Sequence, residues 1–107
     1  MEFLNKIEIT GIVGRADSKP DPHGEGKQIS FSVVTQHASR DRSDNVVVDC
    51  LWLLCQYHAP GDLELAKGDW VHLEGRLAQR RYINSDGNDQ ATVTVVVKSL
   101  TKLTREV

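Results

Sequence analysis

The sequence predicts an all-β fold, a five-stranded barrel with one short helix between strands 3 and 4. Three observations lead there. Apolar and polar residues alternate with a period of two in several segments, the mark of strands with one buried face. Gly, Pro, Asn and Asp gather between these segments, where turns need them. One stretch, Cys55 to Ala66, leaves room for a helix, and Pro60-Gly61 breaks it early. The 107 residues suit a single domain, 1–107, with a modest core.

The first strand runs from Lys6 to Val13, with Ile7, Ile9 and Val13 set against Lys6, Glu8 and Thr10. Gly11 and Gly14 interrupt it. They mark a bulge where a sheet curls into a barrel, or Gly14 simply opens a loop. Arg15 to Gln28 contains Pro20, Pro22, Gly24 and Gly26 and predicts a solvated loop or a long hairpin tip. Gln28 to Gln36 is the second strand, with Ile29, Phe31 and Val33 as its apolar face. Gln36 to Asn45 is polar, and Arg40 and Arg42 flank an aspartate. Such alternating charge marks a solvated loop, with nucleic-acid contact as the alternative for both arginines.

Val46 to Leu54 is an apolar run with one acid, Asp49. A run this continuous predicts a third strand covered on both faces. Val47, Asp49, Leu51 and Leu53 share one face; Val46, Val48, Cys50, Trp52 and Leu54 share the other. One face is expected to fill the barrel, and the other to be covered by a partner subunit or a ligand. Trp52 then serves packing, an interface or base stacking. The helix is expected over Asp62 to Ala66, capped by Asp62 and ended by Gly68.

Lys67 to Val97 reads as a long antiparallel hairpin. Val71, Leu73, Gly75 and Leu77 alternate with His72, Glu74 and Arg76. Asp86-Gly87 supplies the turn, and the return from Ala91 to Val97 is rich in Thr and Val. Lys98 to Leu103 extends or follows the last strand. The order of three strands, a short helix and two more strands is that of an OB-fold barrel, which binds oligonucleotides or oligosaccharides across one face.

Near the hairpin tip stand Arg80, Arg81 and Tyr82. Cations that meet phosphates, beside a ring that stacks on a base, are what a single-stranded nucleic-acid site uses. A nucleic-acid binder usually shows a basic excess, so the net charge of −2 counts against tight binding. The charge is unevenly spread, however. Arg76 to Arg81 holds only basic charges, Lys98 to Arg105 is basic, and acids gather at Asp62 to Asp69 and Asp86 to Asp89.

Other classes fit less well. No apolar run is long enough to cross a membrane, and the start, with Glu2 and an immediate strand pattern, is unlike a signal peptide. Cys50 and Cys55 match no metal spacing and read as buried thiols in a reducing, cytoplasmic setting. His23, His37, His58 and His72 are scattered, with no nucleophile motif. Cys55, His58 and His72 fit no zinc pattern. Asp62 and Glu64 suit a helix start better than catalysis. The expectation is a non-enzyme without metal or cofactor.

Several segments together resemble the bacterial single-stranded DNA-binding proteins: Asn5-Lys6-Ile7 opening a strand that ends at Gly14, Ile29 to Thr35, Lys67-Gly68-Asp69-Trp70 through Glu74-Gly75-Arg76-Leu77, Arg80-Arg81-Tyr82, Asp86-Gly87-Asn88-Asp89 and Val95-Val96-Val97. The resemblance covers roughly residues 3 to 103. It implies an OB fold, self-association as a dimer or tetramer, and binding of single-stranded DNA with little sequence preference. Tyr82 falls where the family places a stacking aromatic, with Arg80 and Arg81 at basic positions. The chain departs from the family at three platforms: Ser39 or a near neighbour and Val48 stand where the family has Trp, and Leu54 where it has Phe. The family's long linker and acidic tip are missing from these residues, so recruitment of partners by that route is not expected. In length and missing aromatics the chain is also similar to the primosomal replication protein of the same fold.

The leading expectation is non-catalytic single-stranded DNA binding in replication, recombination or repair. Arg76, Arg80 and Arg81 would meet phosphates with help from Lys98 and Lys102, and Tyr82 would stack; Trp52, Arg40 and Arg42 are further candidates. The alternative is a protein-assembly module of a primosome-like replication complex, using the apolar third strand and Trp52 or Trp70.

Overall fold

The computed structural model describes residues 1–61 and 63–103, except for the side chain of Tyr82. The expected helix start at Asp62 and the basic tail beyond residue 103 lie outside the described residues.

Five strands form the fold: β1 (Ile7–Pro20), β2 (Lys27–Arg40), β3 (Val46–Ala59), β4 (Trp70–Ile83) and β5 (Asp89–Leu103). They close into a barrel in the order β1-β2-β3-β5-β4, the OB arrangement. All neighbours are antiparallel except β3 and β5, which run parallel from Leu54↔Thr94 to Tyr57↔Val97. β1 serves two neighbours. Ile7 to Ile12 pairs with β4, and Ile12 to Pro20 pairs with β2. Its register shifts between Val13 and Arg15. Gly14 is therefore the bulge at which β1 turns from one partner to the other.

The interior follows from alternation. Ile9 and Val13, then Ile29, Phe31 and Val33, then Cys55 and Ala59, then Val71 and Leu73, then Val95 and Val97 are buried together. Fully burying one such aliphatic side chain contributes about 1.5–3 kcal/mol.

The structure extends the strands beyond their sequence limits. Much of Arg15 to Gln28, expected as loop or hairpin tip, is strand, and the β1–β2 turn occupies only 21–26. Cys55 to Ala59, at the start of the helix candidate, continues β3. No helix forms among the described residues. Leu63 to Ala66 is irregular: the Leu63 N–H donates to the Pro60 carbonyl, and Leu63 and Leu65 both pack against the core. Alternating leucines suit an extended segment, and a stretch this short cannot offset helix nucleation. Lys102 holds it in place, donating to the Glu64 carbonyl at 3.0 Å and lying 3.3 Å from Asp69.

Pairing between β3 and β5 ends at Leu54↔Thr94, whereas β2–β3 and β4–β5 pair on to their tips. Beyond that point the two hairpins leave the barrel as separate arms from the same end. The radius of gyration is 16.5 Å, against ~13 Å for a compact chain of this length. This corrects the expectation for strand 3. Val47, Asp49 and Leu51 do not fill the interior; they ride on an arm, and all are exposed. Cys50, expected to be buried, is exposed for the same reason, while Cys55 is buried and burial pushes its thiol pKa up to about 12.

Candidate nucleic-acid interface

The outward face of the barrel is defined by register. Residues paired across antiparallel strands project to the same side. One row crosses all five strands as Asp17, Ser30, Gln56, Val96 and Arg76; the next crosses as Arg15, Ser32, Leu54, Thr94 and Ala78. Val34 and Trp52 pair beside the second row, and Arg80 pairs with Thr92 on the same side of the β4–β5 arm. The interior residues Phe31, Cys55 and Val95 lie on the opposite side.

Trp52 is an aromatic of this face and is 58% exposed. A Cβ at Gly14 would collide with its six-membered ring. The six-membered ring thus occupies the space that a side chain at position 14 would need, against bare backbone at the bulge. Leu54 is 54% exposed beside it. Next to Leu54 is a groove of about 250 Å³ with Arg15, Asp17, Ser30, Gln56 and Thr94 in its walls.

The charges sort by face. Arg76 and Arg80 project outward, and among the described residues neither is in an ion pair. Arg81, adjacent in sequence, points the other way, because strand neighbours alternate; its guanidinium lies 3.8 Å from Asp89. The expected cluster of Arg80, Arg81 and Tyr82 is therefore divided. Tyr82 pairs with Gln90 in the backbone ladder, and its side chain is outside the described residues. Lys98 is the extra residue of β5 where the ladder shifts opposite Glu74 and Gly75, and it is exposed. Arg40 is held at the tip of the β2–β3 arm, donating to the Asp44 carbonyl at 3.0 Å, while Arg42 stands exposed in the turn. Lys102 is committed to Glu64 and Asp69, which removes it from the phosphate candidates.

Both turns beside the first arm and the barrel end are braced by carboxylates. Asp41 accepts the Asn45 and Ser43 N–H groups, each at 2.9 Å, and these bonds hold its carboxyl below the usual range. Asp21 accepts from the His23 N–H and lies 2.9 Å from His58 Nε2; the first contact, then the second, lowers its pKa. At the β4–β5 tip Gly87 adopts φ 81°, a left-handed conformation that glycine tolerates freely. Among the described residues, no group of three His, Cys, Asp or Glu side chains could hold a metal, and no helix is long and apolar enough to cross a membrane.

Sequence reasoning missed Arg15, Asp17, Ser30 and Gln56 as site residues. Arg15 and Asp17 sat in an expected loop. The signal available was the i, i+2 spacing of Arg15, Asp17 and Lys19, which fits one strand face.

No family model matches the sequence. Single-stranded DNA-binding proteins of Neisseria meningitidis serogroups A and B are 30% identical over 105 residues, covering 94% of this chain. The chain spans 60% of the length of these relatives. Among solved structures, a Plasmodium falciparum SSB in complex with ssDNA superposes with a TM-score of 0.80 at 25% identity, covering 97% of this chain and 98% of that one. A deletion mutant of the single-stranded DNA binding protein from Thermus aquaticus gives 0.77 at 25% identity, covering 94% of this chain and 51% of that one. A small single-stranded DNA-binding protein from Streptomyces coelicolor gives 0.67 at 16% identity over 91% of this chain and 92% of its own, a likeness of fold alone.

Proposed function

We propose that this chain is a member of the single-stranded DNA-binding protein family, supported by the relatives at 30% identity and the superposed barrels, and that it binds single-stranded DNA without catalysing a reaction. The observation that carries the proposal is the outward face. It sets an open indole, Trp52, among three guanidiniums, Arg15, Arg76 and Arg80, with Asp17 as the one acid in its two rows. Arg76, Arg80 and Lys98 meet phosphates, Trp52 stacks on a base, and Tyr82 adds a second platform near the tip. Arg42 and Arg40 extend the path along the β2–β3 arm, and Arg81, tied to Asp89, contributes least. The role is in replication, recombination or repair within the cytoplasm, and the barrel acts as one domain.

A second reading, self-association as a dimer or tetramer or docking on replication proteins, has its own support. Val47 and Leu51 are exposed on the face of the β2–β3 arm that Trp52 does not use. The accessible surface is 8435 Å², against ~6,000 Å² for a compact monomer of this size.

The test is fluorescence anisotropy with a labelled oligo-dT of a few tens of nucleotides, on wild type and on Arg80→Gln, Arg81→Gln and Tyr82→Ala. Affinity is expected to fall with salt at a slope of about −0.7 per phosphate contact. Arg80→Gln removes about one such contact from the slope, Arg81→Gln removes less, and Tyr82→Ala weakens binding. No binding even at low salt would refute the proposal and leave the assembly reading.

A further inference from the structure

A second groove lies where the N-terminal segment meets the irregularity between β4 and β5. We infer that it is a further nucleotide subsite, in which a bound single strand lays a base against Leu4 and Val96 and its flanking phosphates against Arg76 and Lys98, with Asn5 as the residue that positions the outer wall. The inference rests on the single-stranded DNA reading and extends the path the strand takes.

The groove holds about 460 Å³, against about 250 Å³ beside Leu54. Three local features build it. The β4–β5 ladder shifts at Glu74 and Gly75, and the extra residue, Lys98, joins the lining. Position 75 carries no side chain. A Cβ there would collide with the Val96 carbonyl, so the two backbones pass closely and leave a low floor. The third feature is the wall. Pairing of β1 with β4 starts at Ile7↔Gly75, and one further two-residue step sets Asn5 opposite Leu77. There the Asn5 side chain stands in for main chain. Its amide donates to the Leu77 carbonyl at 2.7 Å, and its oxygen accepts from the Leu77 N–H at 3.0 Å. One side chain thus makes both bonds of a ladder pair. It pins a segment that has no strand of its own and sets Leu4 and Lys6 along the groove.

The lining matches a nucleotide in character. Leu4 is 90% exposed, and Val96 is half-buried on the floor. This is apolar surface that the face of any base covers, so the subsite is indifferent to sequence. Arg76 and Lys98 are exposed, and among the described residues neither is in an ion pair. Glu74 is the one acid of the lining, and Lys6 lies 3.6 Å from it. That exposed pair balances itself, which leaves two cations for phosphates.

The groove also continues the Trp52 face. Val96 pairs with Gln56 on one side and with Arg76 on the other. From Trp52 to Gln56 is ~13 Å along β3, and from Gln56 to Arg76 is two interstrand steps, ~10 Å. A few nucleotides span that route, and one barrel of this fold holds ~4–16. A strand stacked on Trp52 reaches the groove by crossing β5 at Val96.

The experiment measures labelled oligo-dT binding by anisotropy with Leu4→Trp, Glu74→Gln and Asn5→Ala. Leu4→Trp puts a stacking ring on the wall and is expected to tighten binding roughly fivefold or more, the low end for one stacked base. With Trp52 and Trp70 replaced by Phe, the introduced indole is the only emitter, and saturating oligonucleotide should quench it. Glu74→Gln removes the acid and releases Lys6. Binding at low salt then tightens, and the salt slope steepens by about one phosphate contact, −0.7. Asn5→Ala unpins the wall. It weakens binding and cancels most of the Leu4→Trp gain, a coupling that independent sites do not show. An unquenched emitter at position 4, a Leu4→Trp affinity within twofold of wild type, or an unchanged slope in Glu74→Gln would overturn the subsite while wild-type DNA binding stands. Additive effects of Asn5→Ala and Leu4→Trp would overturn the positioning role of Asn5. A wild type that binds no oligonucleotide at low salt would sink the DNA reading and the subsite together.

Discussion

Trp52→Ala separates the outward face from every other candidate surface. The indole is 58% exposed with its ring on Gly14, so the substitution has two consequences of calculable size. For binding, losing one stacked base costs ~1–3 kcal/mol, which is roughly five- to 150-fold in affinity. For stability, about two-fifths of a ~250 Å² side chain is covered; at ~25 cal/mol/Å² its loss costs ~2.5 kcal/mol at most, and less for a compact unfolded chain. Trp52→Phe keeps a platform and should recover most of both. The chain has two tryptophans, so a Trp70→Phe background leaves Trp52 as the only indole emitter. Saturating oligonucleotide should then quench its fluorescence, because stacking brings a base against the ring. Gly14→Ala drives a Cβ into the ring and should weaken binding in the same direction without removing any aromatic. An unquenched Trp52 at saturation, together with Trp52→Ala affinity within twofold of wild type, would refute the placement of the site on this face.

Two further outcomes test the architecture. Native protein should react with a thiol reagent at one cysteine, the exposed Cys50, while Cys55, buried with a pKa of about 12, reacts only after unfolding; an ordinary thiol titrates near ~8.5. Bound oligonucleotide should slow the Cys50 reaction, since Cys50 shares the Trp52 face, and two native equivalents would contradict the buried core. Leu73→Ala, at a fully buried position, should cost about 3–5 kcal/mol in denaturant unfolding. Leu77→Ala, 38% exposed where the arm leaves the barrel, should cost less than half as much, and equal losses would mean that the barrel extends further along β4 than described.

The sequence by itself determined the strand count, the order of the strands along the chain, the β4–β5 hairpin and most of the interior residues of β1, β2 and β4, though Ile7 is only partly buried and Leu77 is exposed. Each of these rests on a local rule: period-two alternation, or a turn dipeptide such as Asp86-Gly87. It also carried the family resemblance and most of the candidate cations. Tertiary structure decided what depends on where strands stop pairing. Val47, Leu51 and Cys50 lie in an apolar run with the composition of a strand covered on both faces, yet they are exposed because β3 leaves β5 at Leu54 and continues as an arm. Arg15 and Asp17 lie in a stretch with the composition of a loop, and they reach the site because the Gly14 bulge turns β1 onto β2. Leu63 and Leu65 sit in a segment with a helix start signal, yet it is irregular, with both side chains packed against the core. Arg80 and Arg81, adjacent in the chain, are separated by the pleat into a cation on the outward face, without an ion pair among the described residues, and a paired one behind it. A site on a sheet is assembled across strands, at right angles to the direction in which the sequence is read. Cross-strand register, which no single segment encodes, decided its membership.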